Sequence, residues 1–253
     1  MSTPAPFSFA QTPSALLTAL VASDPGRPRI TVYDDSHSPT RGERIELSAR
    51  VLANWVAKAA NLLQEELDAA PGTVVRLDLP PHWRTLYWAF AAWSVGACVE
   101  VGPDAGALPG AAAEPDVLVT DDAQGAADTG AEHVVLVTLA GLARSASSPV
   151  PAGAVDEARD LATHGDVFDA WEEPATGDGA LRRATGTTAY GGLVPAPGGT
   201  TDRVHTATSD TAAFLDLALR VLAGDGSIVL TRGAPSAEAL ESRLANEGVT
   251  RRA

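Results

Sequence analysis

The chain has 253 residues, 45% of them apolar, enough for one large domain or two small ones with a sizeable core. Its formal net charge of −14 makes a surface that repels phosphate backbones and anionic lipid, which argues against sequence-independent nucleic-acid binding and against docking on acidic membranes. The longest apolar run, residues 86–99, is shorter than the roughly 20 residues a membrane span needs, and no basic residue precedes the apolar residues 14–22, so a signal peptide is not expected either. The single cysteine, Cys98, allows no internal disulfide. A reducing, cytoplasmic setting is the expectation.

In chain order, residues 1–12 read as a loose tail. Thr12 followed by Pro13 predicts a helix start, threonine as N-cap and proline in the first turn, for a short amphipathic helix over residues 14–22. Residues 29–33 predict a strand, Asp34-Asp35-Ser36 a turn, and residues 44–47 a returning strand, giving a hairpin with a long loop. Ser48 caps the strongest helix, residues 49–67, where Leu52, Trp55, Val56, Ala59, Leu62 and Leu63 recur at spacings of three and four.

The rest of the chain is arranged around residues 73–101. Residues 73–79 alternate and are rich in β-branched side chains, which predicts a strand. Pro80-Pro81 cannot continue a ladder, because proline lacks the N–H, but Pro81 suits the opening of a helix. That helix, residues 82–94, is apolar on two sides, with Trp83, Tyr87 and Phe90 on one stripe and Leu86, Ala89 and Trp93 on another, the pattern of a helix buried between layers. Gly96 stops it, and residues 97–101 predict a parallel partner for the first strand, a βαβ unit.

A Gly/Ala-rich loop follows Gly102. Residues 117–120 and 133–138 predict strands, with a weak helical turn over 123–130 between them. Residues 145–151 read as loop and 155–163 as helix. Residues 173–202, rich in Gly, Thr, Pro and Ala, read as a long loop or linker. Order returns with a strand at 203–206, a helix capped by Ser209, a strand at 227–231 and a last helix capped by Ser236. The expectation is one α/β domain over residues 1–253. It has a first sheet region (1–143), an irregular linker region (144–202) and a second strand–helix region (203–253).

The five histidines show no tight metal spacing, and there is no G-x-S-x-G elbow. Asp156, Glu157, Asp160, Asp166, Asp169, Glu172 and Glu173 read as a solvated acidic face. Cys98, in an apolar strand, reads as a small buried hydrophobe. His82 and Trp83 sit where a strand meets a helix, on the side where α/β sheets take ligands. They are the candidate pocket-lining residues, although stripes of aromatics at helical spacing mostly mean core packing.

Several pieces together carry a family resemblance. Glu46-Leu47-Ser48 leads into the long helix, and Asn61-Leu62-Leu63 lies near its end. Residues 71–80 (PGTVVRLDLP) and 95–101 (VGACVEV) follow. Their order and spacing over about residues 12–104 resemble the N-terminal part of adenylate-forming enzymes such as acyl-CoA synthetases, and residues 217–250 resemble a later stretch of the same family. The chain also looks like short actinobacterial adenylate-forming-like proteins of truncated layout.

The resemblance implies a three-layer α/β fold, a sheet with helices on both faces, similar to the N-terminal subdomain of those enzymes. It implies ATP or AMP with Mg as ligands, and a phosphate loop at Thr185-Gly186-Thr187-Thr188. Such a loop works through backbone N–H groups with lysine as a point charge. Here Ala189, Tyr190, Gly191 and Gly192 replace its second half, and the lysine is missing. Gly198-Gly199-Thr200-Thr201 is a weaker match. The one lysine, Lys58, falls on the N-terminal amphipathic helix. The family's downstream adenine- and ribose-binding motifs, hinge and catalytic lysine have no counterpart in residues 1–253. Three readings stand open. The favoured one is a degenerate, non-catalytic relative that binds a nucleotide, an acyl compound or a partner protein. The second is an ATP-dependent acid ligase working with a partner chain. The third is a structural module that forms a homo-oligomer.

Overall fold

Helix starts are held by their own side chains. In the computed structural model, which describes residues 11–102, 114–198 and 201–253, Thr12 accepts from the Ala15 N–H to open α1 (Pro13–Ser23). Ser48 accepts from the Val51 N–H to open α2 (Ala49–Glu65). The tail read for residues 1–10, the Gly/Ala-rich loop from Pro103 onward, and Gly199-Thr200 lie outside the described residues.

Between these helices β1 (Pro28–Asp35) and β2 (Arg44–Ser48) form the expected antiparallel hairpin. β3 (Val74–Asp78), α3 (Trp83–Ser94) and β4 (Cys98–Glu100) form the expected βαβ unit, with β3 and β4 parallel. β5 (Val117–Thr120), α4 (Ala123–Asp128) and β6 (His133–Leu136) continue the parallel sheet.

Two readings of the middle region are corrected. Residues 155–163 are a two-residue strand, β7 (Val155–Asp156), then α5 (Glu157–Asp160) and a 3-10 turn, rather than one helix. Residues 173–202 hold a hairpin, β8 (Gly179–Arg183) and β9 (Gly186–Ala189), followed by α6 (Tyr190–Leu193), rather than a linker alone. The cause is tertiary. β8 pairs parallel with β4, and Arg182 reaches the fully buried Glu100 at 3.0 Å, while Arg76 holds the same carboxylate at 2.7 Å. An arginine in a Gly/Thr-rich run looks like loop until its buried partner is known.

The chain closes with β10 (Arg203–Thr206), α7 (Thr211–Ala223), β11 (Ser227–Gly233), α8 (Ala237–Asn246) and β12 (Arg251–Arg252). Asp210, not Ser209, caps α7, by accepting from the Ala213 N–H. The strands form two sheets, in the orders β12-β10-β11-β1-β2 and β7-β6-β5-β3-β4-β8-β9.

This is a mixed α/β fold in which a shared helical layer lies between the two sheets. α3 touches β3 and β4 on one side and β1 on the other, packs against α1, α2 and α7, and is buried at every position. That explains its two apolar stripes. α8 covers the outer face of the five-stranded sheet, where Arg243 reaches Asp35 at 2.7 Å, and α4 and α6 pack on the seven-stranded one. One apolar cluster runs from Leu16 through Trp88 to Leu230 and joins all these layers. No helix among the described residues is long and apolar enough to cross a membrane.

Candidate ligand crevice

The carboxyl ends of both sheets converge on one crevice. β3 leaves through Leu79-Pro80-Pro81, β10 through Ala207-Thr208-Ser209, and β11 through Thr231-Arg232-Gly233. Between them lie adjoining cavities of about 430 and 190 Å³ that share Pro80 and Ser209. In the larger sheet, β3 has β4 on one side and β5 on the other, so the chain reverses its direction of winding there. Open α/β sheets bind ligands outside the strand ends at such a point.

Three local devices hold the crevice in shape. The Thr211 hydroxyl donates to the Leu79 carbonyl at 2.7 Å, fixing the first residue of α7 on the end of β3. Gly233 has φ +81°, and a Cβ there would lie 2.5 Å from the backbone of Asp35 and Ser36, so only glycine lets β11 end against β1. Asp34 is buried and accepts hydrogen bonds from Ser36, Ser38 and Thr40, and at 2.8 Å from Arg232. Burial alone would raise the Asp34 carboxyl, but the Ser36 and Thr40 hydrogen bonds and the Arg232 charge outweigh it and hold it at about 2. Arg232 lines the smaller cavity beside Thr208, Ser209 and Thr231, an arginine with hydroxyl neighbours.

His82 stands behind this wall. Its Nδ1 accepts from the Arg84 N–H at 3.3 Å, which makes it the N-cap of α3 and leaves the proton of the neutral ring on Nε2. It is 2% exposed. Burial first, then the charges of Arg232 and Arg84, push its proton affinity well below the ordinary imidazole value, so it is neutral. Trp83 points elsewhere. Its ring packs against Trp55 and Tyr87, with the Arg84 guanidinium 4.3 Å from its centre, inside the helical layer. Opposite, burial and then the charge of Asp78 raise the Asp121 carboxyl.

Thr185, Gly186, Thr187 and Thr188 form the turn and first residues of the β8–β9 hairpin, and the first three are exposed. Arg183 spans this hairpin. Its Nε donates to the Thr185 hydroxyl and its Nη2 to the Thr188 hydroxyl, both at 3.2 Å, and its Nη1 lies 3.4 Å from Asp216. None of these residues lines the two crevice cavities. Lys58 is bound to the carbonyls of Ala162 and His164 and to Asp166. Among the described residues, no group of three or more His, Cys, Asp or Glu is arranged to hold a metal ion.

Sequence reasoning missed Asp34, Arg232 and Gly233. Their signal was present: Asp34 and the pair Arg232-Gly233 each end an apolar strand, where parallel strands deliver their polar residues to the crevice.

No family model matches the chain. It is 35% identical over 263 residues to a TIGR03089 family protein of Mycobacterium tuberculosis strain H37Rv, covering 99% of either chain. The chain belongs to the TIGR03089 family. The fold of this TIGR03089 protein is also that of adenylate-forming, acyl-CoA synthetase-like enzymes. It superposes on an acyl-CoA synthetase of Brucella canis with a TM-score of 0.70 at 18% identity, covering 99% of this chain and 48% of that one. On the acetoacetyl-CoA synthetase of Streptomyces lividans the score is 0.73 at 19% identity, covering 95% and 42%. On the N-terminal subdomain of Klebsiella oxytoca NpsA it is 0.61 at 16% identity, covering 96% and 61%. The TIGR03089 chain thus spans about half the length of the synthetases it superposes on.

Proposed function

We propose that this protein is a non-catalytic member of the adenylate-forming fold that binds a small anionic compound in the crevice at the carboxyl ends of β3, β10 and β11. The observation that carries the first half is Arg183. A working phosphate loop keeps its hydroxyl and N–H donors free for phosphate oxygens and adds a lysine charge. Here two of the hydroxyls already accept from Arg183, and the Asp216 carboxylate offsets that guanidinium. The hairpin is closed on itself and does not fit a triphosphate. Arg232 supports the second half. Asp34 engages its Nη1, and Arg232 lines a cavity edged with hydroxyls, suited to the carboxylate of an acyl compound or the phosphate of a nucleoside monophosphate.

ATP–pyrophosphate exchange across a panel of carboxylic acids, with Mg²⁺ present, tests the first half. No exchange is expected, and any acid that supports it overturns the non-catalytic reading. Calorimetric titration with AMP and with short acyl carboxylates tests the second. Binding that Arg232→Met abolishes is expected, and no heat from any of them at millimolar concentration overturns the crevice as a ligand site.

The competing reading, an ATP-dependent acid ligase, has one observation in its favour: Arg183 places a cation at the hairpin where the family has its lysine. It requires Mg·ATP binding that Arg183→Ala removes, an outcome the same titration reads.

A further inference from the structure

A further cavity, larger than either crevice cavity, is an open groove of about 600 Å³ between α1, α2 and the segment 164–173 that runs alongside α2. Its floor is apolar, made by Leu17, Val56 and Ala57, and Val21, Ala53 and Phe168 form its sides. Nothing in the fold of the described residues covers it.

The segment 164–173 is held as a rail. Asn61 donates to the carbonyls of Gly165 and Val167, and Gln64 both donates to the Asp169 carbonyl and accepts from the Trp171 N–H. The backbone is fixed and two carboxylates are left over. Asp169 and Glu173 line the groove and form no ion pair with any described residue, whereas Asp166, also in the lining, is paired with Lys58 at 2.9 Å. Val167 and Trp171 on the rail and Val51 on α2 are 83%, 71% and 40% exposed. These three are outside the groove's lining but adjoin its lining residues in sequence, and large exposed apolar side chains mark a surface that meets a partner.

We infer that this groove receives a basic, amphipathic helix of another protein, its apolar face on the floor between α1 and α2 and its cationic flank along Asp169 and Glu173 on the rail. The shape selects a helix. Two helices already form the walls, small side chains at Ala53 and Ala57 let a third approach closely, and α1, about 16 Å long, offers three turns of contact. The charge selects a basic one, because the two unpaired carboxylates Asp169 and Glu173 outnumber the single cation Arg50 that also lines the groove. A second copy of this chain, at −14, would bring acid against acid. This site is separate from the crevice and stands or falls independently of it.

The probe is a fluorescein-labelled peptide of about 15 leucines and lysines in amphipathic helical order, compared with a scrambled peptide of the same composition by fluorescence anisotropy in physiological salt. The wild-type protein is expected to bind the ordered peptide at least about tenfold more tightly than the scrambled one, a difference in apolar fit rather than charge. Asp169→Lys/Glu173→Lys and the groove-filling Ala57→Trp are each expected to weaken binding about tenfold or more, while the charge-matched Glu132→Lys/Glu238→Lys, on exposed sites away from the groove, stays within about twofold. Absence of binding, equal affinity for the two peptides, equal loss in the charge-matched variant, or displacement of the peptide by dodecanoate would each overturn the inference. Asp169 and Glu173 are exposed, so their variant keeps the test open if Ala57→Trp fails to fold.

Discussion

Arg84 and Glu157 meet at 2.5 Å inside the protein, although 73 positions separate them in the chain. Tyr87, one turn along α3 from Arg84, donates its hydroxyl to the same carboxylate, and both charged side chains are at most 3% exposed. The pair clamps the first turn of α3 to the segment after β7. Removing one partner leaves the other charge buried alone, so Glu157→Leu is expected to cost about 3–5 kcal/mol in urea denaturation. Arg84→Met/Glu157→Leu is expected to regain much of that loss, because apolar groups then replace both charges.

The same pair shows where the sequence stops being legible. The run containing Asp156, Glu157 and Asp160 reads as a solvated face because its one local cation, Arg159, pairs with Asp160 and Asp156 and the partner of Glu157 lies 73 positions away. Asp156 and Glu157 are in fact 2% and 1% exposed. Periodicity located α1, α2, α3 and α7, and the strand β3 with its proline stop, because those signals are local. The caps at Thr12, Ser48 and Ser236 were legible for the same reason. Ser209 against Asp210 was not, since either side chain can cap and the choice depends on Thr211 binding the end of β3. The crevice was half visible. His82 was picked from its place at a strand–helix junction but lies buried behind the crevice, in the lining of neither cavity, whereas Arg232 needed the knowledge that β11 lies beside β1.

Acid should destabilise the protein in two stages. His82 is neutral when folded but takes a proton in the unfolded chain below about pH 6.5, so stability is full above that value and declines as pH falls through it. Asp34 is held at about 2 when folded against about 3.9 unfolded. Its contribution is therefore complete above roughly pH 4 and is lost as pH approaches 2. Urea midpoints measured from pH 7 to 2 should show both losses, offset in part by the raised Asp121 and Glu157 carboxyls, and Asp34→Asn should flatten the lower stage only. The His82 ring signals in NMR should show no titration at the ordinary imidazole value.

Gly233→Ala should be costly for its size. The positive φ alone costs roughly 1–2 kcal/mol for a residue with a Cβ, and the 2.5 Å approach to Asp35 and Ser36 adds overpacking of about 1–3 kcal/mol. Gly177→Ala, where a new Cβ meets nothing within 4 Å, is the control expected to leave the melting temperature unchanged.

Cys98 should be inert in the folded protein. It is 6% exposed, and burial, the largest influence, raises its thiol above the ordinary value. A thiol reagent at pH 8 is expected to label it negligibly in native buffer and to one equivalent in denaturant. Rapid native labelling would mean that β4 opens.

The pairing of β1 with β11 sets the timetable of synthesis. The β1–β2 hairpin leaves the ribosome early, with Ile30 and Val32 on an edge whose other neighbour, Ile228 to Leu230, does not yet exist. The seven-stranded sheet has all its strands once Ala189 is made, but the five-stranded one must wait for β11. At roughly 5–20 residues per second, that wait lasts on the order of 10–40 s. Through it, a nascent chain carries an open strand edge, the kind of surface that pairs with other chains. The yield of this protein in a cell should therefore depend on how crowded its ribosomes are and on which chaperones attend them, more than on the stability of the finished fold.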